Sequence, residues 1–150
     1  EDTQAFKIPL LKRLLSASAI RDTIASFIAE GILDRHTNIR VATIETGSEW
    51  VEPLLKKLKS TNIMAPGEFA SDPVKLFKER IWVSPFFEDD VQMLIKAVGV
   101  DHVLFGSDFP HAEGLAEPTD FVHECEGLSE QDIRKVMHDN AWALATPQPL

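Results

Sequence analysis

Apolar residues recur along the chain with the spacing of amphipathic helices in four stretches. Their apolar stripes are Leu10, Leu11, Leu14 and Leu15; Ile20, Ile24, Phe27 and Ile28; Val51, Leu54, Leu55 and Leu58; and Val91, Leu94, Ile95 and Val98. Glycine is common just past a helix C-terminus, and Gly31 and Gly99 follow the second and fourth stripes. The pattern therefore predicts four helices, two of which end at a glycine.

Three short segments outside these stripes are rich in β-branched and other apolar residues, as strands are. They read IRVATIE at 39–45, IWVSP at 81–85 and HVLFGSD at 102–108. Because a helix separates each strand from the next, we expect parallel pairing with right-handed crossovers. The predicted fold class is α/β.

The remaining segments carry turn and cap signals. Residues 60–80 are the least regular and are predicted to be a long connection with a short helix starting at Asp72-Pro73. Further helices are predicted at 118–125 and from Ser129, which forms a capping-box pattern with the aspartate three residues later. Residues 146–150 are expected to be a frayed tail. The whole chain, 1–150, is predicted to be a single domain.

Several large or reactive side chains are predicted to be structural. Trp50 and Trp82 are expected in the core, and Trp142 is expected to pack the terminal helix. Cys125 has no base near it in sequence and is also predicted to be buried. Four histidines are given structural roles in the same way: His36, His102, His123 and His138.

Two of the three predicted strands end in a carboxylate, Glu45 after the first and Asp108 after the third, while Ser84 ends the second. In parallel α/β folds the loops at the carboxyl ends of strands converge over one opening, where ligands bind. Side-chain alternation puts each acid in a row with two earlier strand residues. The rows are Val41, Thr43 and Glu45, and Leu104, Gly106 and Asp108. We therefore expect both acids to face a shared cavity.

Local sequence also allows structural roles at these positions. Asp108 precedes a Phe-Pro dipeptide, where an Asx turn would use its carboxylate. Glu45 could accept hydrogen bonds from the turn at 46–48, and Ser48 is predicted to be the N-cap of the next helix. His111 either forms a solvated loop pair with a nearby glutamate or contacts a substrate.

Charge and composition limit the function classes. The chain has 15 Lys and Arg against 24 Asp and Glu, a net charge of -9, which disfavours nucleic acid and anionic membranes as partners. It has one cysteine, so no internal disulfide can form, and no apolar run approaches the roughly 20 residues of a membrane span. We expect a cytoplasmic protein. Its sequence lacks a P-loop, a dinucleotide glycine fingerprint, a Cys-x-x-Cys pair and a nucleophile elbow.

The stretch VGVDHVLFGSDFPHAEGLAEP at 98–118 resembles the last strand and loop of the amidohydrolase-related metal-dependent hydrolases, the branch that includes the aminocarboxymuconate-semialdehyde decarboxylase group. Residues 31–55 are similar to that family's helix 5 to strand 6 unit, 80–90 to its strand 7 and 136–144 to its last helix. The resemblance implies the C-terminal part, about strands 6 to 8, of a TIM-like (β/α)8 barrel.

The resemblance also implies a site. Asp108 matches the aspartate that ligates, or lies beside, a divalent metal and acts as general base toward water, and His111 would line the pocket mouth. Glu45 stands where the family usually has a histidine. A glutamate there could act as an oxygen ligand or as a proton shuttle, and Glu45 is the second predicted catalytic residue. Ser84, at the strand 7 end, is a predicted substrate contact together with His111. The implied metal is zinc, with manganese as the alternative, bound in the complete protein.

Two functions remain open from the sequence. The first is a section of an enzyme that hydrolyses a C–N or C–O bond of a small molecule or decarboxylates a small acid. The second is a non-catalytic barrel remnant that serves assembly or binding. The family's strand 1 and strand 5 metal ligands have no counterpart in this chain, so we expect it to be inactive alone. Three strands would also leave two sheet edges open, which predicts a homo-oligomer or association with the missing barrel half.

Overall fold

Short parallel strands alternate with helices in the computed structural model, which describes residues 17–112 and 114–146. The elements in chain order are α1 (Ala17–Ala29), α2 (Ile32–Arg35), β1 (Val41–Thr43), α3 (Val51–Met64), α4 (Pro73–Arg80), β2 (Ile81–Val83) and α5 (Val91–Val98). Two 3₁₀ segments follow, Val100–His102 and Pro118–Cys125. The last helix consists of α6 (Glu130–Arg134), a π-helical turn (Lys135–Asp139) and α7 (Asn140–Ala145). No helix in the two described ranges is long and apolar enough to cross a membrane.

Helix ends follow local capping chemistry. The Asp72 side chain accepts hydrogen bonds from Val74 N and Lys75 N, and Ser129 Oγ accepts from Asp132 N, which confirms both predicted N-caps. The Ser48 prediction is wrong: α3 begins after Trp50 without a side-chain cap. The backbone N–H of Ser48 instead donates to a carboxylate of the neighbouring loop, described below.

Glycines end two helices as the sequence predicts. Gly31 follows α1 with φ of 64°, and Gly99 follows α5 with φ of 93°. Both values lie in the region where a Cβ atom is unfavourable, so a glycine ends each helix at little steric cost.

The sheet is parallel, with β1 paired to β2 in the register Val41 to Ile81, Ala42 to Trp82 and Thr43 to Val83. Beyond β2 the third predicted strand is reduced to a single bridge, Val83 to Val103, with Leu104 N donating to Val83 O at 2.8 Å. The α/β class and the parallel order are confirmed, but the strand predicted at 102–108 is too long. His102, the first residue of the predicted strand, lies in a 3₁₀ turn. Residues 105–108 are outside the sheet and form part of the loop that carries Asp108.

One hydrophobic core lies between the sheet and the helices. It contains the stripes predicted for α1, α3 and α5, together with Phe77 of α4 and Phe121 of the second 3₁₀ segment, both 0% exposed. Full burial of such a side chain contributes roughly 1.5–3 kcal/mol relative to exposure. Cys125 also lies in this core, and burial raises the pKa of its thiol, as expected for an inert structural cysteine.

The sheet face that carries Val41 and Thr43 packs against the helices. Thr43 is 2% exposed and its register partner Val83 is 0% exposed, whereas Ile44 is 55% exposed. The expectation that Glu45 continues this row into a cavity is therefore wrong. Glu45 instead lies at the carboxyl end of β1 in a left-handed backbone conformation.

Other differences from the predictions are local. Helix α3 continues to Met64, so the irregular connection covers 65–72 rather than most of 60–80. Trp50 is buried as predicted, but Trp142 is 69% exposed and stacks only on His138, with ring centroids 6.1 Å apart. The helix predicted from Leu10 to Leu15 lies outside the described residues, as does nearly all of the predicted tail.

His102 is a half-buried imidazole whose protonation opposes folding. Its ring lies on Trp82, with centroids 4.4 Å apart, and its Nδ1 is 3.1 Å from Ile81 O. Burial lowers the pKa of His102 from its ordinary 6.5, and the contact with the Ile81 carbonyl and the charge of Asp101 offset this only in part. A lowered folded-state pKa means that the unfolded chain binds more protons. The stability due to neutral His102 is therefore present above pH 6.5 and is lost as the pH falls through the folded-state pKa.

We predict that His102→Gln reduces the loss of unfolding free energy between about pH 7.5 and pH 5, measured by urea denaturation. His123 is exposed, so His123→Gln should leave that pH dependence as in the unmodified protein. Equal pH dependence in His102→Gln and the unmodified protein would contradict the prediction.

Candidate functional site

Three predicted site residues come together at the carboxyl ends of the strands. Glu45, Asp108 and His111 each offer one ligand atom, and these atoms all lie within 4.8 Å of one another. Glu45 follows β1 directly, while Asp108 and His111 follow the Val103 bridge. The side chain of Asp108 is 13% exposed and that of His111 is 55% exposed. The cluster is thus open on one side and anchored by the aspartate on the other.

The two acids share an unusual backbone conformation. Glu45 has φ of 55° and Asp108 has φ of 54°, and within 17–112 and 114–146 they are the only non-glycine residues with positive φ. A left-handed conformation costs an L-residue about 1–2 kcal/mol, less for aspartate than for glutamate. In Glu45 this turn ends the side-chain alternation of β1, which explains why the acid does not follow Thr43 into the core. Strain of this kind clusters at active sites and ligand clamps.

Hydrogen bonds of Ser107, and not of the Asp108 carboxylate, hold the backbone of the loop that carries Asp108. Ser107 Oγ accepts from Phe109 N at 3.3 Å, and Leu115 N donates to Ser107 O at 2.8 Å. The Asx-turn interpretation fails because the donor would be the backbone nitrogen of Pro110, which has no hydrogen. The Asp108 carboxylate Oδ1 instead lies 2.9 Å from His111 Nδ1. Its second oxygen remains available to a ligand.

Asp89 is a site residue that the sequence reasoning missed. Its Oδ2 accepts from Ser48 N at 2.7 Å and from Phe86 N at 3.0 Å, so one carboxylate oxygen joins the loop after β1 to the loop after β2. Gly47 fits against this junction, since a Cβ there would lie 3.0 Å from the Phe86 ring. The sequence signal is the Asp89-Asp90 pair before α5: Asp90 caps the helix through Met93 N, which leaves Asp89 for the loops.

Removing the shared acceptor should loosen both loops. We predict that Asp89→Ala lowers the free energy of unfolding by about 1.5–3 kcal/mol, the range for hydrogen bonds to a charged group. Asp89→Asn keeps an acceptor oxygen and should lose less. The neighbouring Glu88 is exposed, and Glu88→Gln should change stability by less than about 0.5 kcal/mol in the same urea titration. An equal loss in Asp89→Ala and Glu88→Gln would show that the loops are held in another way.

Ser84 lies beneath the site and is 4% exposed. Its backbone N donates to Thr43 O at 3.0 Å, and its hydroxyl donates to Phe105 O at 3.2 Å, so it joins all three strand segments. Gly106 runs close above it, where a Cβ would meet Ser84 Oγ at 2.5 Å and collide with the Pro85 carbonyl. These contacts give Ser84 a structural role, and its contact with substrate stays a prediction.

The donor set of the cluster fits a divalent metal. Two carboxylate oxygens and one imidazole nitrogen suit Zn²⁺ or Mn²⁺. Metal bonds of about 2.0–2.2 Å place two ligands of one ion at most about 4.4 Å apart, and the three ligand atoms lie within 4.8 Å of one another, close to that limit. Beside Glu45, Thr46 Oγ1 is buried and without a hydrogen-bond partner among the described residues, so the site also has an unused polar atom.

Comparison with known proteins gives one family. The amidohydrolase family model matches residues 14–144. A solved amidohydrolase from Mycobacterium avium subsp. paratuberculosis K-10 is 46% identical and superposes with a TM-score of 0.86. The match covers 91% of this chain and 35% of that one, so this chain spans about a third of its length. No curated protein matches the chain.

Two solved decarboxylases share the fold. A 2,6-dihydroxybenzoate decarboxylase complexed with 2,6-dihydroxybenzoate is 18% identical with a TM-score of 0.70, covering 91% of this chain and 47% of that one. A dihydroxybenzoic acid decarboxylase from Polaromonas sp. JS666, with bound manganese and 2-nitroresorcinol, is 17% identical with a TM-score of 0.66, covering 91% of this chain and 46% of that one. At these identities the likeness concerns the fold alone.

Proposed function

The chain belongs to the amidohydrolase family of (β/α)8-barrel proteins, and from this premise we propose that it forms strands 6 to 8 of a metal-dependent hydrolase or decarboxylase acting on a small organic substrate. The observation that carries the proposal is the cluster of Glu45, Asp108 and His111 within 4.8 Å, with both acids in a left-handed conformation. Strained backbone of this kind clusters at active sites and ligand clamps, and here both strained residues are carboxylates at the same opening.

The open sheet supports the placement within a larger barrel. In the described ranges β1 pairs only with β2, and the Val103 segment likewise pairs only with β2. Both outer edges therefore present unpaired backbone groups, which soluble proteins normally cover. The chain also spans only 35% of the length of the 46% identical amidohydrolase. Further strands on each side would cover these edges and supply further side chains to the opening.

Asp108 is the residue proposed to hold the metal, with Glu45 and His111 beside it. When bound, such a metal supplies a Lewis acid and lowers the pKa of water to about 7. Oδ1 of Asp108 lies 2.9 Å from His111 Nδ1. Its other carboxylate oxygen makes no hydrogen bond to a described residue. It can therefore bind and also orient the attacking group.

Glu45 and His111 are the proposed proton carriers. The carboxylate of Glu45 is exposed beside Asp108 and His111, where a substrate can reach it. When His111 donates from Nδ1 to Asp108, its Nε2 is the ring atom left to exchange a proton with substrate. Hydrolysis and decarboxylation both need this combination of a fixed electrophile and a nearby proton carrier. Manganese in one decarboxylase of the same fold makes Mn²⁺ a metal to test, and the donor set adds Zn²⁺.

Metal removal distinguishes this function from a non-catalytic role. We expect the complete protein to hydrolyse or decarboxylate at least one member of a panel of aromatic acids, amides and esters. Chelation with EDTA should reduce that turnover by at least about 10³-fold, and Mn²⁺ or Zn²⁺ should restore it. Turnover that survives full metal removal would contradict the metal mechanism. No turnover of any panel member with metal loaded would favour the barrel remnant that serves assembly.

A further inference from the structure

The loop after β1 turns sharply at Glu45 and again at Gly47. Their φ values are 55° and 62°, both in the left-handed region. Thr46 lies between them, and its Oγ1 is buried without a hydrogen-bond partner among the described residues. A left-handed glutamate and an unpaired buried hydroxyl both raise the free energy of this conformation. Contacts from outside the turn must therefore hold Glu45 in it.

Asp89 supplies a contact of this kind from the loop after β2. Its Oδ2 accepts from Ser48 N at 2.7 Å, just past the turn. The same oxygen accepts from Phe86 N at 3.0 Å, so it joins the turn to the end of β2. Hydrogen bonds to an ionised acceptor are roughly twice as strong as those between neutral groups. The carboxylate of Asp89 thus fixes the position of the chain that follows Glu45.

Two further contacts bear on Gly47. The Phe86 ring packs against it, where a Cβ atom would lie 3.0 Å from ring carbons. Trp50 Nε1 donates to Gly47 O at 3.0 Å in the buried part of the loop. The tryptophan bond joins neutral groups of one loop, whereas Asp89 reaches the turn from the loop of another strand. Asp89 is therefore the hydrogen-bonding side chain that sets the turn relative to the rest of the site.

We propose that Asp89 is a positioning residue for Glu45. By holding Ser48 N it keeps Glu45 left-handed. The Glu45 carboxylate then lies within 4.8 Å of the other two ligand atoms of the cluster. Oδ2 of Asp89 is engaged by two backbone donors, so Asp89 acts on the reaction through the loop. Its effect on turnover rests on the proposed function, in which Glu45 carries a proton, whereas its effect on the Glu45 backbone does not.

The direction of the Glu45 side chain depends on this turn. Without an acceptor for Ser48 N, the residues after β1 can adopt the extended backbone that a glutamate prefers. Side-chain alternation would then put Glu45 on the same face as the buried Thr43, away from Asp108. A shift of about 1 Å at a reacting group can lower turnover by about 10²-fold. Loss of the Asp89 acceptor should therefore reduce turnover without any change in the residues of the cluster.

Two substitutions of Asp89 in the complete, metal-loaded protein test the effect on turnover. Asp89→Leu removes the acceptor at similar side-chain size, and we expect kcat to fall by about 10²-fold with KM changed by less than about 2-fold. Asp89→Asn keeps an acceptor oxygen without the charge and should lose only about 3–10-fold. Asp90→Ala is the matched control. It removes the N-cap of α5, a bond from Met93 N at 2.8 Å, and should lower stability without changing kcat.

A double-mutant cycle with Glu45→Gln separates positioning from general damage. Because Asp89 acts through Glu45, Asp89→Leu should lower kcat by less than about 3-fold further in the Glu45→Gln background. If the leucine variant does not fold, Asp89→Asn is used in the same cycle, and its loss of kcat should vanish in that background. A loss in the Glu45→Gln background as large as in the unmodified protein would overturn the proposal. So would an equal loss of kcat in Asp90→Ala and Asp89→Leu.

Crystal structures of the complete variants test the backbone effect independently of turnover. In Asp89→Leu the φ of Glu45 should leave the left-handed region and its carboxylate should separate from Asp108, whereas in Asp90→Ala the φ should stay near 55°. A left-handed Glu45 in Asp89→Leu would overturn the proposal. If Glu45 moves in Asp89→Leu but Glu45→Gln keeps full turnover, the positioning by Asp89 is supported and the proton-carrying role of Glu45 is refuted.

Discussion

Replacing Asp108 with asparagine is expected to reduce turnover by about 10²–10⁴-fold while the protein stays folded. The substitution removes the negative charge that holds a metal and accepts a proton. Asparagine tolerates the left-handed backbone at this position, where φ is 54°, as well as aspartate does. Its amide can also keep a hydrogen bond to His111. The loss should therefore appear in kcat and in metal affinity rather than in stability.

Steady-state kinetics and urea denaturation of Asp108→Asn measure the two effects separately. Asp120 is an exposed aspartate of the second 3₁₀ segment, and Asp120→Asn is the matched control that should change neither quantity. Retention of full turnover in Asp108→Asn would refute the proposed role. A drop in unfolding free energy of several kcal/mol would instead indicate that Asp108 is structural.

Substitution of Glu45 by glycine is expected to lower turnover and to raise the free energy of unfolding. Glu45→Gly removes the carboxylate and also relieves the left-handed strain at φ of 55°, so the free energy of unfolding should rise by about 1 kcal/mol. Turnover should fall by roughly 10²-fold or more, because a proton carrier is lost. The protein would be more stable and less active, as expected when strain is kept for function.

Glu45→Gln separates the charge from the strain. It removes the negative charge but keeps a Cβ in the left-handed conformation, so it should lose activity like Glu45→Gly and gain no stability. Thermal denaturation and kcat of the two variants give the comparison. Unchanged stability in Glu45→Gly would show that the turn is unstrained, and unchanged kcat in both would remove Glu45 from the mechanism.

The helices were predictable from the sequence because their signals are local. An apolar stripe, a capping Asp72 and a terminal Gly99 each act within a few residues of the element they define. Strand lengths were harder to predict because a strand exists only where a neighbour pairs with it. The segment at 102–108 has strand composition, yet only Val103 forms a bridge among the described residues.

The candidate site was predictable in its members but not in its geometry. The Gly-Ser-Asp-Phe-Pro-His motif and the strand-end position of Glu45 pointed to the three residues that the structure brings together. Strand alternation predicted that the Glu45 side chain follows Val41 and Thr43, which is wrong. The positive φ that turns the chain at Glu45 has no signal in the neighbouring sequence, whereas an apolar stripe does. Asp89 was missed because both its partners are backbone N–H groups, and one of them, Ser48 N, lies in another loop 41 residues away. Every residue except proline has a backbone N–H group, so the sequence does not indicate which one will be the partner.

Anomalous diffraction from crystals of the complete protein grown with Mn²⁺ locates the metal relative to Asp108. We expect a manganese peak within about 2.2 Å of an Asp108 carboxylate oxygen, on the side that faces Glu45 and His111. The peak should be lost in Asp108→Ala crystals. A manganese ion bound away from Asp108, or no peak at a saturating concentration of Mn²⁺, would show that Asp108 does not hold the metal.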